Sequence, residues 1–559
     1  MKKVLFSVII SMGCQVASVA QDAQTFRIVG EDQADADAVR VLKESLNVAE
    51  DGKAVRLVVG ERGDKAVKAY KKQIPARNEG FYLKVSPKEV VIAGNDESGT
   101  FYGVQTFLDH FRHDGLKNLT LKDWPSVSCR GVIEGFYGNP WTHSARLRQF
   151  EFYGRQKMNT YVYGPKDDPF HRARWREAYP EAEASKIREL VEVAKQNKVQ
   201  FVWALSPGGD IKWNRQDSMA VVKKLTQMYG LGVRTFALFF DDISGEGTKA
   251  DKQAGLLNYI TDNFVRTHEG VNPLIMCPTE YSKAWSGSKY LPTPGSALYP
   301  EIRIMWTGNS VVDMIEKDDM EWVNKQIGRK AFIWLNYPVN DYCQSRLLMG
   351  KTYGNGLDIA DMVSGFCSNP MEYAEASKVS LFSIGEYTWS MKDYDSEKSW
   401  NRALDELMPT AREAFRFFCE NNVDMGKNGH GLRRSGESPE FTEDCDKEAY
   451  FARMSKAADE LLADSVNHPE MIGEIAPWVR SMDLLGIRGR LVLKMERAKA
   501  ANDTESFSYY NKLQQAVEDA RKAILSRNFK GSIVKANPVV SGEVVAPWID
   551  RKVKELTGL

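Results

Sequence analysis

Near the middle of the chain, the stretch TFALFFDDISGEG, residues 235–247, ends an apolar run on two adjacent aspartates, Asp241 and Asp242, and continues into a glycine-rich turn. Two carboxylates side by side make each other harder to ionise, so one of the pair keeps a proton more readily than a lone aspartate. A protonated acid beside an ionised one suits glycosidic cleavage, where the leaving oxygen needs a proton and the sugar ring becomes positive. A single strand-end aspartate has a plainer use as a helix N-cap. Consecutive strand residues face opposite sides, so both aspartates reach one cavity only where the strand is ending and its backbone can turn.

Other polar and aromatic residues stand at the ends of other apolar runs. Glu134-Gly135-Phe136-Tyr137-Gly138 ends one, Tyr163-Gly164-Pro165-Lys166 a second, and Trp334, Asn336 and Asp341 follow another. A lysine between Pro165 and two aspartates at a strand end has little packing purpose. Trp306, Tyr387 and Trp389 fit either the mouth of such a site or the core. The seven histidines are scattered without HxH or HExxH, and no CxxC occurs, so the sequence offers no metal site and calls for no cofactor. A metal-dependent hydrolase using the aspartate pair as ligands is an alternative that insensitivity to chelators would remove.

The elements that must position these residues have a clear rhythm. From residue 129, RGVIEGF, NTYVYG, VQFVWAL, TFALFF, LIMCP, IRIMW, AFIWLN and SLFSIGEY each precede a polar loop and a helical pattern. Eight strands alternating with helices predict an α/β fold, a (β/α)8 barrel over 127–430, whose active site belongs at the C-terminal ends of the strands. A doubly wound sheet is the alternative, but no GxGxxG follows the first strand. Residues 21–126 predict a small α/β domain, with a hairpin turning at Ser86-Pro87-Lys88. Residues 431–559 predict a C-terminal helical domain, and Trp400, Leu404, Leu407, Ala411, Phe415 and Phe418 lie on one helical face before it. The stretch GKNGHGLRRSGESPE, 426–440, reads as an exposed loop.

Composition excludes more than it selects. With 75 basic and 75 acidic residues among 559, the chain has no electrostatic footprint for nucleic acid. Lys2, Lys3, the apolar Val4 to Met12 and Ser18-Val19-Ala20 describe a signal peptide over 1–20, which implies export to the periplasm or medium. A lipidated Cys14 would instead tether the product to a surface. No segment is apolar for the ~20 residues that a span needs. The six remaining cysteines are too few for a disulfide framework and read as mostly buried free thiols. Oligomeric state is not legible.

RGVIEGFYGNPW (130–141), YGPKDDP (163–169), DDISG (241–245) and WLNYPVND (334–341) together resemble glycoside hydrolase family 84, the O-GlcNAcase and hexosaminidase family. The resemblance implies substrate-assisted cleavage of terminal N-acetylglucosamine from glycans or glycoproteins, in which the sugar's own acetamido oxygen attacks the anomeric carbon to form an oxazoline. It implies that Asp241 binds and polarises the acetamido N–H and that Asp242 is the general acid and base. Tyr281 would hydrogen-bond the acetamido group, and Trp334, Tyr137 and Cys277 would wall a pocket for its methyl, although Cys277 also fits a small core residue. Lys166, Asn336, Asp341, Asn369 and the backbone of Gly135 would hold sugar hydroxyls. Substrates drawn from mucin, hyaluronan or chitin, and a non-catalytic carbohydrate-binding protein on the same fold, are the alternatives.

Overall fold

The computed structural model describes residues 24–49, 54–287, 289–426, 436–525 and 537–558. The proposed signal peptide and Cys14 lie outside the described residues.

The N-terminal region runs β1 (Thr25–Val29), α1 (Ala36–Ser45), β2 (Asn47–Val48), β3 (Val55–Glu61), β4 (Phe81–Val85), β5 (Glu89–Gly94), α2 (Glu97–Asp114) and β6 (Leu119–Asp123). Its sheet has the order β2-β1-β3-β5-β4-β6, parallel on one side and antiparallel around β4. The predicted hairpin is β4–β5, closed by Ser86 N donating to Glu89 O at 3.0 Å. Asp35 and Asp96 cap the two helices through their carboxylates. Phe101, Val104, Phe107 and Leu108 of α2 meet Phe26, Leu57 and Ile92 of the sheet in one apolar layer.

Eight parallel strands then close a barrel. They are β7 (Arg130–Glu134), β8 (Thr160–Tyr163), β9 (Gln200–Leu205), β10 (Thr235–Phe239), β11 (Ile275–Cys277), β12 (Arg303–Trp306), β13 (Ala331–Leu335) and β14 (Val363–Ser368). Between them stand α3 (His143–Arg155), α4 (Glu181–Gln196), α5 (Arg215–Gly230), α6 (Ala250–Asn263), α7 (Pro292–Ala297) and α8 (Lys317–Ile327). No α-helix separates β13 from β14; irregular backbone and one short 3-10 turn, Ala360–Met362, fill that interval.

The eighth strand is not where the sequence predicts it. SLFSIGEY lies inside α9 (Ala374–Trp389), and the strand is VSGFCS. Every residue of α9 but Glu386 is buried, so the helix has no polar stripe and its apolar run imitates a strand. Trp306, Tyr387 and Trp389 are all core residues, none of them at the mouth.

After the barrel come α10 (Ser396–Leu407), α11 (Arg412–Glu420), α12 (Lys447–Ala463), α13 (Pro469–Ala500), α14 (Thr504–Ala523) and α15 (Val545–Thr557). The single helical face expected over 400–418 is two helices, broken at Pro409, which cannot donate to the preceding turn. Of the expected exposed loop, 427–435 lie outside the described residues. Glu437 and Ser438 are buried, Ser438 Oγ donating to Asn421 Oδ1 at 2.8 Å. The six cysteines among the described residues are free, and four of them are buried.

Candidate active site

Strand periodicity builds the site. Ile133, Val162, Ala204, Ala237, Phe239, Cys277, Met305, Phe332, Trp334 and Cys367 fill the barrel interior. Two residues further along several of these strands, the inward-facing positions leave the core for the C-terminal mouth. There stand Gly135 after Ile133, Asp241 after Phe239, Thr307 after Met305, Asn336 after Trp334 and Asn369 after Cys367. These residues, with Lys166, Tyr137, Asp242, Cys277, Tyr281, Trp334 and Asp341, line one cavity of about 200 Å³. Every residue proposed from sequence for substrate contact is therefore in one pocket. Glu134 is not: it faces outward, fully buried, with both oxygens on Arg146 at 2.8 and 2.6 Å.

The neighbouring aspartates reach the same pocket because the strand ends at Phe239. Asp241 keeps the inward direction. Asp242 takes φ +53°, a left-handed conformation rare for a residue with a side chain but less so for aspartate, and this turns its carboxylate in as well. Phe240 N, between strand and turn, donates to Cys277 O at 2.9 Å and pins the corner.

The two carboxylates have different partners. Lys166 Nζ donates to Asp241 Oδ2 at 2.5 Å, while Asp241 Oδ1, buried, has no hydrogen-bond partner among the described residues. Burial alone would raise the Asp241 carboxyl, but the Lys166 ammonium, aided by Arg172, outweighs it and holds the group below the usual carboxylate range. Burial works against the Lys166 charge too, and Asp241 overcomes it and holds the ammonium above its ordinary value. The like-charge repulsion expected between the aspartates is thus offset on Asp241 by an ion pair. Asp242 instead accepts from two phenols, Tyr281 OH on Oδ1 and Tyr137 OH on Oδ2, each at 2.8 Å. Burial first, and Asp242 after it, push the Tyr281 hydroxyl up, so it stays a donor at any working pH.

The floor and walls are apolar. Phe239 and Trp334 meet at 5.3 Å between ring centroids, beside Cys277, Tyr281 and Val311. Burial pushes the Cys277 thiol far up, so it is a packing surface rather than a nucleophile. A Cβ on Gly135 would lie 2.6 Å from Trp334 Cζ2, which is why glycine stands there. Asn336 Oδ1 accepts from Trp334 Nε1 and Asn369 Nδ2, both at 3.0 Å, which orients the two amides on the wall. Asp341 Oδ2 accepts from Tyr137 N at 2.9 Å across the mouth.

Sequence reasoning missed Trp285, Thr307, Val311, Val312, Val339 and Tyr342 on the lining. Thr307 was reachable by counting two past Met305. The others sit on loops or, for Trp285, on a single 3-10 turn, where no period predicts direction. Among the described residues, no group of three or more His, Cys, Asp or Glu is placed to hold a metal.

Comparisons with known proteins bear on the family and the fold. A family model described as beta-N-acetylglucosaminidase matches residues 130–420. Models for glycosyl hydrolase family 20, domain 2, and for the bacterial GH84 post-catalytic domain match 17–124 and 437–551. The Protein O-GlcNAcases of Rattus norvegicus and Mus musculus are each 36% identical over 271 residues, 46% of this chain but only 29% of theirs. The solved structure of CpGH84B superposes with TM-score 0.83 at 28% identity, over 97% of this chain and 98% of that one. CpGH84D gives 0.85 at 26%, over 96% of each. With a catalytic-domain model spanning more than half its length, the chain belongs to the β-N-acetylglucosaminidases of glycoside hydrolase family 84.

Proposed function

We propose that the protein is a retaining exo-β-N-acetylglucosaminidase that removes terminal N-acetylglucosamine, including the O-linked sugar of serine and threonine in glycoproteins, by substrate-assisted catalysis. The observation that carries this reading is the asymmetry of the paired carboxylates. Asp241 is kept ionised by Lys166 with one oxygen unbonded, whereas Asp242 sits between two tyrosine hydroxyls.

In the first step the acetamido carbonyl oxygen attacks C1, the C1–O bond to the leaving group breaks, and Asp242 gives its proton to the departing oxygen. The positive charge growing on the acetamido N–H is met by Asp241 Oδ1, and Tyr281 OH orients the amide. In the second step a water oxygen attacks C1 from the vacated face, the oxazoline opens, and Asp242 takes the water's proton. Two inversions leave the β configuration. Cys277, Trp334 and Tyr137 enclose the acetyl methyl; Lys166, Asn336, Asp341, Asn369 and the backbone of Gly135 take the sugar hydroxyls.

The protein O-GlcNAcase relatives support O-linked N-acetylglucosamine as a substrate, although the match spans less than a third of their length. The basic, apolar and small-residue segments of 1–20 support export, with host or environmental glycoproteins as partners. No described helix is long and apolar enough to cross a membrane. Hydrolysis of a chromogenic β-N-acetylglucosaminide, with the anomer of the first product read by NMR, tests the reading. Release of β-N-acetylglucosamine is expected; an α product or no turnover would refute it.

A further inference from the structure

The pocket wall formed by Val339, Asp341 and Tyr342 belongs to the stretch between β13 and β14 that has no α-helix of its own. Around Asp341 the backbone is held by Asn340 Nδ2 to Arg346 O, Cys343 N to Asn340 O and Arg346 N to Cys343 O, between 2.8 and 2.9 Å, and by Val339 N to Asn369 O just past β14 at 2.9 Å. Other anchors of the stretch come from Val311, Ile315, Tyr387, Tyr394 and Trp400, but those of the segment around Ser345 and Arg346 come from much later in the chain. Ser345 O accepts from Trp478 Nε1 of α13 at 2.9 Å and from Val539 N at 2.8 Å. Arg346 donates through Nη1 to Asp424 O at 3.0 Å and through Nη2 to Glu543 Oε1 at 2.9 Å. Asp424 Oδ1 lies 3.9 Å from the same guanidinium. Buried Glu437 accepts from Glu543 N at 2.9 Å, placing a third carboxylate beside the cluster.

The seat is built for that side chain. A Cβ on Gly426 would come 2.6 Å from the guanidinium carbon, and one on Gly542 would come 2.7 Å from Nη2. Both neighbours are glycines, one before the C-terminal helices and one just ahead of α15; Gly426 also takes φ +67°, and a Cβ on Gly542 would lie 2.6 Å from Val539 Cγ1 as well. The arginine side chain is 14% exposed.

We infer that Arg346 is a positioning residue through which the C-terminal helical region holds the outer wall of the sugar pocket, so that this region acts in substrate binding by fixing the loop that carries Asp341. The physical chain is short. Arg346 lies five positions after Asp341, with four residues between, and Asn340 Nδ2 ties the two ends of that interval together. Asp341 in turn accepts from Tyr137 N, across the mouth from the loop. Loosening the guanidinium frees the loop and its carboxylate without touching Asp241, Asp242 or Tyr281, which stand after β10 and β11. The inference rests on the reading of Asp341 as a ligand of sugar hydroxyls.

The test is calorimetric binding of an N-acetylglucosamine-derived thiazoline to the full-length protein, which needs no turnover. Arg346→Met should weaken binding about tenfold and Arg346→Lys by less, because one ammonium replaces half of the fork. In the Asp341→Ala background the penalty of Arg346→Met should shrink below about twofold, since residues that act through one contact are not additive. A merely structural arginine would keep its full penalty there. Wild-type binding by Arg346→Met, or an undiminished penalty in the Asp341→Ala background, overturns the inference while leaving the proposed function standing. Wild-type binding by Asp341→Ala overturns the assignment of Asp341 and the inference together. If Arg346→Met does not yield folded protein, Glu543→Gln, at a partly exposed position, carries the same two outcomes with a smaller expected loss.

Discussion

At the scale of single residues, the ion pair between Lys166 and Asp241 makes a pH prediction with a definite sign. Asp241 lies below its unfolded value, so the pair's contribution is present above the ordinary carboxylate range and is lost as pH falls through the lowered value. Lys166 lies above its unfolded value, so its contribution is lost only as pH rises through that raised value. Between these limits Asp241 stays ionised. Lys166→Met removes the largest force opposing burial, leaving Arg172 and a backbone hydrogen bond, so the acid limb of the kcat/KM profile should move to higher pH; an unmoved limb would show that Asp241 ionisation does not govern it. Asp242→Asn should cost about 10²–10⁴-fold on substrates with alkoxide leaving groups and far less on activated phenolates, which need little protonation. Equal losses on both would remove Asp242 as general acid. The aspartate pair was readable from sequence because two charges ending an apolar run have no packing explanation. The left-handed turn at Asp242 that makes the pair useful was not, since no residue pattern marks it.

At the scale of elements, seven of the eight barrel strands were legible because a strand buried on both faces reads as a continuous apolar run. β14 was not, because Ser364, Gly365, Cys367 and Ser368 interrupt its run, while the wholly buried α9 presents one. Gly365 has a reason there: a Cβ would lie 2.4 Å from Phe332 Cε2 of the adjoining strand. The same kind of close approach occurs at Gly131 of β7, where a Cβ would meet Thr160 O at 1.8 Å. Because that neighbour is backbone, Gly131→Ala should destabilise by at least about 1–3 kcal/mol, read as a lowered midpoint in denaturant. An unchanged midpoint would mean that β7 and β8 can separate without cost. The edge strands β2, of two residues, and β6, of five, escaped sequence reading, being too brief for a period to emerge.

At the scale of the whole molecule, the three regions are tied by buried polar contacts rather than by apolar faces alone. Arg130, fully buried at the start of β7, donates to Glu79 Oε2 of the N-terminal region at 2.5 Å and to Lys157 O at 2.7 Å. Its guanidinium also lies over the rings of Trp389 and Tyr102, at 4.9 and 5.4 Å. Removing one partner strands a buried charge, so Glu79→Ala should cost about 3–5 kcal/mol and lower Tm clearly; a shift within error would mean that water replaces the carboxylate. On the far side, Glu474 of α13 accepts from Glu375 N and Ala376 N at the start of α9, fastening the C-terminal helices to the barrel. Such long-range pairs leave no local signature, which is why the sequence yielded the regions but not the contacts that join them.

The central claim is that the sugar's acetamido oxygen, not a protein carboxylate, is the nucleophile. Turnover of aryl N-acyl-glucosaminides with zero, one, two or three fluorines on the acetyl methyl tests it most directly, because fluorine weakens the carbonyl as a nucleophile with little change in shape. The account predicts that log kcat/KM falls stepwise with each fluorine. A rate indifferent to fluorination, together with a glycosyl ester trapped on Asp241 or Asp242 by a 2-deoxy-2-fluoro sugar, would contradict it.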